Sequence, residues 1–266
     1  MNSIRKVYGQ SSLGQIHARV IEAEGEEQHP PLLCLHPAPS SGLYFQTAMP
    51  LLNSGRRVVA PDYPGYGGSD ALSEPPAIDD YARAMHEFLE DFGVAGSVDI
   101  LGFHTGCLVG TEMVLQNSEA VRRLVLCDIP FFSAEARKAL YAKMAVPMPI
   151  SPELESIQAA WTFNVEGRIE DVPLPRTIEL LAEHLRSVER DHFGFAAAFT
   201  YSTEEKLGNI SVDTTVLATQ SALHGATLAA AEIIPDATLI DVTEVTTAVF
   251  ESGAEAISRR ISATLE

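Results

Sequence analysis

Apolar residues fall along this chain in short unbroken runs, separated by turn-forming and amphipathic stretches. "PLLCLH" (31–36) is such a run, and "RVVAPD" (57–62), "VDILG" (98–102) and "VRRLVLCD" (121–128), mainly apolar, read as further buried strands. An uninterrupted apolar run of this length predicts a strand buried on both faces. "GQIHARVIEA" (14–23) alternates instead and predicts an earlier antiparallel strand. Between the runs the period lengthens. "SGLYFQTAMPLLNSG" (41–55), "IDDYARAMHEFLEDFG" (78–93) and "LVGTEMVLQN" (108–117) read as helices, the second with Tyr81, Met85, Phe88 and Leu89 on one side and Gly93 at its end. Strands alternating with helices predict an α/β fold, a mostly parallel sheet with helices on both faces.

The alternation stops at Ile129. From there to Asn209 the pattern is helical and rich in aromatic residues. Strand signals return at "TTVLAT" (214–219) and "ATLIDV" (237–242), each followed by a helical stretch, 223–234 and 250–265. This order predicts a core built from 1–128 and 210–266, with a helical cap inserted at 129–209.

Composition narrows the class of partner. The chain has 266 residues, 46% of them hydrophobic, enough for a sizeable core. With 18 basic against 36 acidic residues the net charge is −18, a surface that repels nucleic acid and anionic membranes. Cys34, Cys107 and Cys127 form no C-x-x-C pair, so neither a zinc site nor a disulfide framework is expected, and the setting expected is cytoplasmic. "MNSIRKVYGQ" lacks the apolar segment of a secretory signal, and no run of apolar residues is long enough to span a membrane. Neither a G-x-G-x-x-G after the first buried strand nor a phosphate-binding G-x-x-x-x-G-K is present, so no cofactor is expected. A small molecule is the expected ligand. The oligomeric state, a homodimer included, stays open.

Four local motifs carry candidate chemistry. "LHPAP" (35–39) follows the first buried run, and "DYPGYGGSD" (62–70) follows the second. "GFHTG" (102–106) stands between the third run and a helix, and "VLATQSA", "ATLIDV" and "FE" close the chain in that order. In these motifs and their spacing the sequence resembles the α/β-hydrolase superfamily in its capped form, over most of the chain. The resemblance implies a nucleophile elbow at 102–106, and oxyanion donors from the backbone N–H groups of Ala38 and Thr105. It also implies a Ser, acid, His triad in that chain order. His104 stands at the serine position, Ala222, or at best Ser221, in the turn "TQSA" at the acid position, and Thr246 in "VTTAVFE" at the histidine position. Serine-hydrolase chemistry is therefore not expected.

Two readings of His104 remain. It fills space left by the histidine absent at 246, or it acts as a general base, for which an imidazole is suited near neutrality. A base needs an orienting partner, and Asp128 and His36 are the candidates. Asp128 is alternatively a turn cap, and His36 a structural residue beneath the oxyanion loop. Asp62 is expected to fix its turn, Cys107 to be an inert buried thiol, and His184, His192 and His224 to lie outside the chemistry. Phe131, Trp161 and Phe195, among the cap aromatics, are expected to wall an apolar pocket. The function expected is a non-serine hydrolytic or lyase-type reaction on a small, fairly apolar carbonyl compound. The alternative is an inactive relative that serves as a binding or scaffold protein.

Overall fold

The computed structural model describes residues 3–149 and 151–266, so Met1, Asn2 and Ile150 of the expected core and cap lie outside it. Its strands are β1 (Arg5–Ser11), β2 (Gly14–Ile21), β3 (Leu32–Leu35), β4 (Val58–Pro61), β5 (Val98–Phe103), β6 (Val121–Cys127), β7 (Asp213–Thr219) and β8 (Thr238–Val242). Among the described residues they form one eight-stranded sheet in the order β1-β2-β4-β3-β5-β6-β7-β8. β2 runs antiparallel to β1 and β4, and every pairing from β4 to β8 is parallel.

The helices are α1 (Met49–Leu52), α2 (Ile78–Asp91), α3 (Thr105–Gln116), α4 (Ala134–Met144), α5 (Glu155–Trp161), α6 (Leu174–Arg186), α7 (Asp191–Thr200), α8 (Thr203–Leu207), α9 (His224–Ala231) and α10 (Ala254–Leu265). Successive side chains of a strand point to opposite faces, and the core divides accordingly. Leu33, Leu35, Ile100, Leu124 and Leu126 face α2 and α3, against Tyr81, Met85, Phe88 and Met113. Leu32, Cys34, Leu101, Phe103, Val125 and Cys127 face the other way, against Phe45, Met49, Phe250, Ile257 and Ile261.

Two local expectations change. β1 is an additional strand, invisible to hydrophobic periodicity because Arg5, Lys6, Tyr8 and Gln10 are all exposed on this edge. The stretch 41–55 is not one helix. Ser41 caps a single tight turn, Gly42–Phe45, and Pro50 then opens the short α1. A proline has no N–H to give to the preceding turn, so the helix restarts there.

Helices α4–α8 lie between β6 and β7 in the chain. Ala160, Val165 and Leu181 form a small cluster of their own. Ala197, Ala198, Tyr201 and Leu207 join the main core directly. Polar ties complete the attachment. Glu183 accepts from Arg19 (3.2 Å) and Ser41 (2.5 Å), and Arg176 donates to Glu251 (2.9 Å) and to the Leu43 carbonyl (2.7 Å). The Tyr66 hydroxyl donates to the carbonyls of Arg190 and Asp191 and accepts the Gly194 N–H at 2.7 Å.

Candidate active site

The parallel register brings three chain ends to one edge of the sheet. Leu35 pairs with Gly102, and Phe103 pairs with Cys127. The residues that follow these strands, His36, His104 and Asp128, therefore share the carboxyl edge, where open α/β sheets bind ligands.

His104 joins β5 to α3 with φ 49° and ψ −115°, a left-handed backbone that a residue with a Cβ adopts only at a cost of about 1–3 kcal/mol. Its N–H donates to the Cys127 carbonyl (3.2 Å), and its own carbonyl accepts the Cys107 N–H (2.8 Å). The flanking glycines are dictated by contact. A Cβ on Gly102 would lie 2.5 Å from the Gly106 carbonyl oxygen, and one on Gly106 would lie 2.0 Å from that of Leu35. The helix can leave the sheet this sharply only because both positions are bare.

The His104 ring lies against Phe103 (centroids 4.0 Å apart) and makes no hydrogen bond to any described side chain. Its Nε2 is buried without a partner. Burial pushes the imidazole down to about 4; the Asp128 charge pulls it back up, and the Arg168 charge adds to the fall. At neutral pH the ring is the neutral base form.

A cavity of about 360 Å³ opens beside it, lined by Tyr44, Phe103, His104, Asp128, Phe163, Arg168, Ser221, Ala222 and the segment Thr246–Val249. Positions 104, 222 and 246 converge on one space, although they hold histidine, alanine and threonine.

Asp128 is fully buried at the end of β6, itself at φ 54°. It does not hydrogen-bond His104. Its Oδ1 accepts the Thr219 N–H (2.8 Å) and its Oδ2 the Thr219 hydroxyl (2.6 Å), so it ties the ends of β6 and β7 together and reaches His104 through charge. His36 has no nitrogen to offer a substrate. Its Nδ1 donates to the Pro37 carbonyl (2.9 Å), its Nε2 accepts the Tyr63 N–H (3.0 Å), and its ring lies 3.9 Å from that of Tyr63. The expected catalytic role for His36 gives way to the structural one.

The oxyanion loop is placed differently from expectation. The Ala38 N–H turns to the Thr105 hydroxyl at 3.4 Å, and neither Ala38 nor Thr105 is among the lining residues of the cavity. Helix α7 sits on this loop, where a Cβ on Gly194 would come within 2.4 Å of the Ala38 Cβ. Phe131, Trp161 and Phe195 do not line the cavity either: Phe131 packs on the main core, Phe195 stacks on Phe199, and Trp161 is exposed. The aromatic walls are Tyr44, Phe103 and Phe163.

Arg168, which no sequence motif marks, extends over the rings of Tyr44 (5.8 Å) and Phe163 (5.2 Å). The remaining candidates lie apart. Asp62 accepts from Gly42 and Gly68 N–H (2.8 Å each), His17 (2.7 Å) and Arg19 (3.0 Å), fixing the turn. Burial works to raise its carboxyl, and the His17 hydrogen bond and Arg19 charge overcome it and hold it low. Cys107 is a buried thiol that burial pushes far up. His224 pairs with Asp241 (3.1 Å), and His184 bonds Asn164 (2.8 Å) inside the insertion. Among the described residues no three His, Cys, Asp or Glu side chains gather as a metal set, and no helix is long and apolar enough to cross a membrane.

A sheet of this order, with a strained strand-to-helix elbow beneath a helical insertion, defines the α/β-hydrolase fold. The profile of the alpha/beta hydrolase fold family matches residues 30–221, and the chain belongs to that family. It is 32% identical over 186 residues to haloalkane dehalogenase 2 of Mycobacterium bovis, a match covering 67% of this chain and 60% of that one. It is 28% identical over 165 residues to a haloalkane dehalogenase of Mycolicibacterium paratuberculosis, covering 57% of this chain and 54% of the other. The matched region thus spans little more than half the length of these relatives. The fold is also that of the enol-lactonase from Burkholderia xenovorans LB400, with a TM-score of 0.82 over 97% of this chain and 99% of that one, at 15% identity.

Proposed function

We propose that this α/β-hydrolase-fold chain is an enzyme that works without a serine nucleophile, with His104 as general base, on a small and fairly apolar carbonyl compound. The observation that carries the reading is the buried, unpartnered Nε2 of His104 on a strained residue beside a cavity. Buried polar atoms are nearly always hydrogen-bonded, and one left open at a strained position marks a place where a ligand or its proton belongs.

The neutral ring takes a proton from water as its oxygen adds to the carbonyl carbon, then returns it to the alkoxide that leaves when the adduct collapses; or it takes a proton from the carbon beside the carbonyl, the enolate's electron pair expels a β-substituent, and the ring gives that group the proton. The first outcome is hydrolytic and the second lyase-type. A base at about 4 is weak, but Asp128 favours the imidazolium as it forms, without changing its own bonds to Thr219. With Ala38 and Thr105 off the cavity wall, the cation available for negative charge on the substrate is Arg168.

His104→Ala, assayed against small esters, lactones and β-dicarbonyl compounds, should lower turnover by about 10²-fold or more while leaving the fold intact. Wild-type turnover by the variant would end the reading. The engaged Ala38 N–H favours a second reading, a small-molecule binding protein of the same fold, in which no member of the panel is turned over and His104 only shapes the cavity.

A further inference from the structure

Arg168 stands out in a chain with twice as many acidic as basic residues, 36 against 18. Arg19, Arg56, Arg122 and Arg176 each lie within 3.2 Å of a carboxylate oxygen. The Arg168 guanidinium makes no ion pair or hydrogen bond with a described residue. It is held instead by the faces of Tyr44 and Phe163, at the wall of the His104 cavity. Aromatic faces hold a guanidinium in place and leave its N–H fork free, and such a fork matches a carboxylate.

The position is pinned. Arg168 follows the turn Thr162–Glu166. Its carbonyl accepts the N–H groups of Asp171 (3.0 Å) and Val172 (2.8 Å), and Asp171 accepts in turn from the Thr247 hydroxyl in the loop after β8. The segment that carries the cation is therefore tied to the loop that follows β8, which also lines the cavity.

We infer that the cavity takes a small monocarboxylate with an apolar body, its carboxylate paired with Arg168 and its reacting carbonyl toward His104. This rests on the reading of His104 as the reacting end of the cavity. The charge count favours one anionic group. Asp128 already places a carboxylate on the cavity wall, so the second negative charge of a dianion such as a phosphate monoester would meet repulsion. The three aromatic walls suit a flat apolar body, and about 360 Å³ suits a small one. Arg168 is thus a specificity-determining residue. Pairing it with a substrate anion also cancels the positive charge that opposes protonation of His104, so an anionic substrate strengthens its own base.

Benzoate and its neutral isostere benzamide test this by titration into the full chain, followed by calorimetry and by the His104 ring signals in NMR. Benzoate is expected to bind saturably, about tenfold or more tighter than benzamide, and to move the His104 signals. Arg168→Gln should abolish that preference at unchanged thermal stability, and Arg168→Lys should keep part of it. Equal binding of the two probes, unaltered benzoate binding by a folded Arg168→Gln variant, or no saturable benzoate binding below about 10 mM overturns the inference. These measurements need no turnover, so His104→Ala can fail its own test while the Arg168 result stands, and the reverse.

Discussion

Asp128 gives both carboxylate oxygens to Thr219, at 2.8 Å to the backbone N–H and 2.6 Å to the hydroxyl, and none to His104. The carboxylate is a fixed charge within the cavity wall, not the hydrogen-bonded second member of a dyad. Thr219→Val removes the hydroxyl and keeps the N–H. A buried carboxylate that loses one donor should cost about 1.5–3 kcal/mol in urea-induced unfolding. A change below about 0.5 kcal/mol would mean that Asp128 is satisfied elsewhere.

Serine at position 104 should not create a serine hydrolase. Ala222 and Thr246 face the same cavity and supply neither acid nor base. Without an adjacent base the hydroxyl stays a poor nucleophile. A fluorophosphonate probe should leave His104→Ser unlabelled at that residue, as read by mass spectrometry, and stoichiometric labelling there would contradict the geometry.

Stability should fall with acid. Burial holds both His36 and His104 near 4, against an ordinary 6.5. Between those values the unfolded chain binds protons that the folded chain refuses, so unfolding free energy rises with pH across that window. The contribution is complete above about 6.5 and is lost as pH falls through about 6.5 to about 4. His104→Ala should flatten this dependence, measured as urea midpoints at successive pH values. An unchanged slope would show that the His104 ring is not desolvated.

Gly194→Ala probes the seat of α7. Its methyl would meet the Ala38 Cβ at 2.4 Å and the Tyr66 hydroxyl oxygen at 2.9 Å, so helix or loop must yield. Overpacking of this kind costs about 1–3 kcal/mol. Alanine keeps the N–H that bonds the tyrosine hydroxyl, so thermal unfolding should report the steric conflict directly. A neutral substitution would show that α7 does not rest on this loop.

Asp99→Ala tests the other end of β5. Its buried carboxylate accepts from Arg56 (2.6 Å) and from two nitrogens of Arg122 (2.8 and 2.6 Å). Removing it strands the buried Arg56 charge, at a cost of about 3–5 kcal/mol. Benzoate binding, at the opposite edge of the sheet, should be unaffected in the folded fraction.

The parallel strands were legible because a strand covered on both faces is apolar nearly throughout, as "LLCL" is and as "VDILGF" is apart from the paired Asp99. The elbow was legible because Gly102 and Gly106 are forced by backbone contact. The edge strand β1 was not, since Gly9 rests on Phe88 while its neighbours meet solvent. The site was half legible. Its sheet-borne residues follow from motifs at strand ends. Arg168 lies in a helical stretch whose rings look alike in sequence, and only the tertiary arrangement sorts Phe163 onto the cavity and Phe195 onto Phe199. Thr219, the partner that claims Asp128, sits at the end of a strand 91 residues further on, beyond the reach of local patterning.

The Tyr66 phenol has one further meaning. It clasps the start of α7 from three sides, and Glu183, Arg176 and Tyr201 clasp the same insertion elsewhere. A roof fastened at so many rivets does not swing on a hinge. The cavity edge between the exposed Phe163 and the Thr246–Thr247 segment is fastened as well, by the Thr247–Asp171 hydrogen bond.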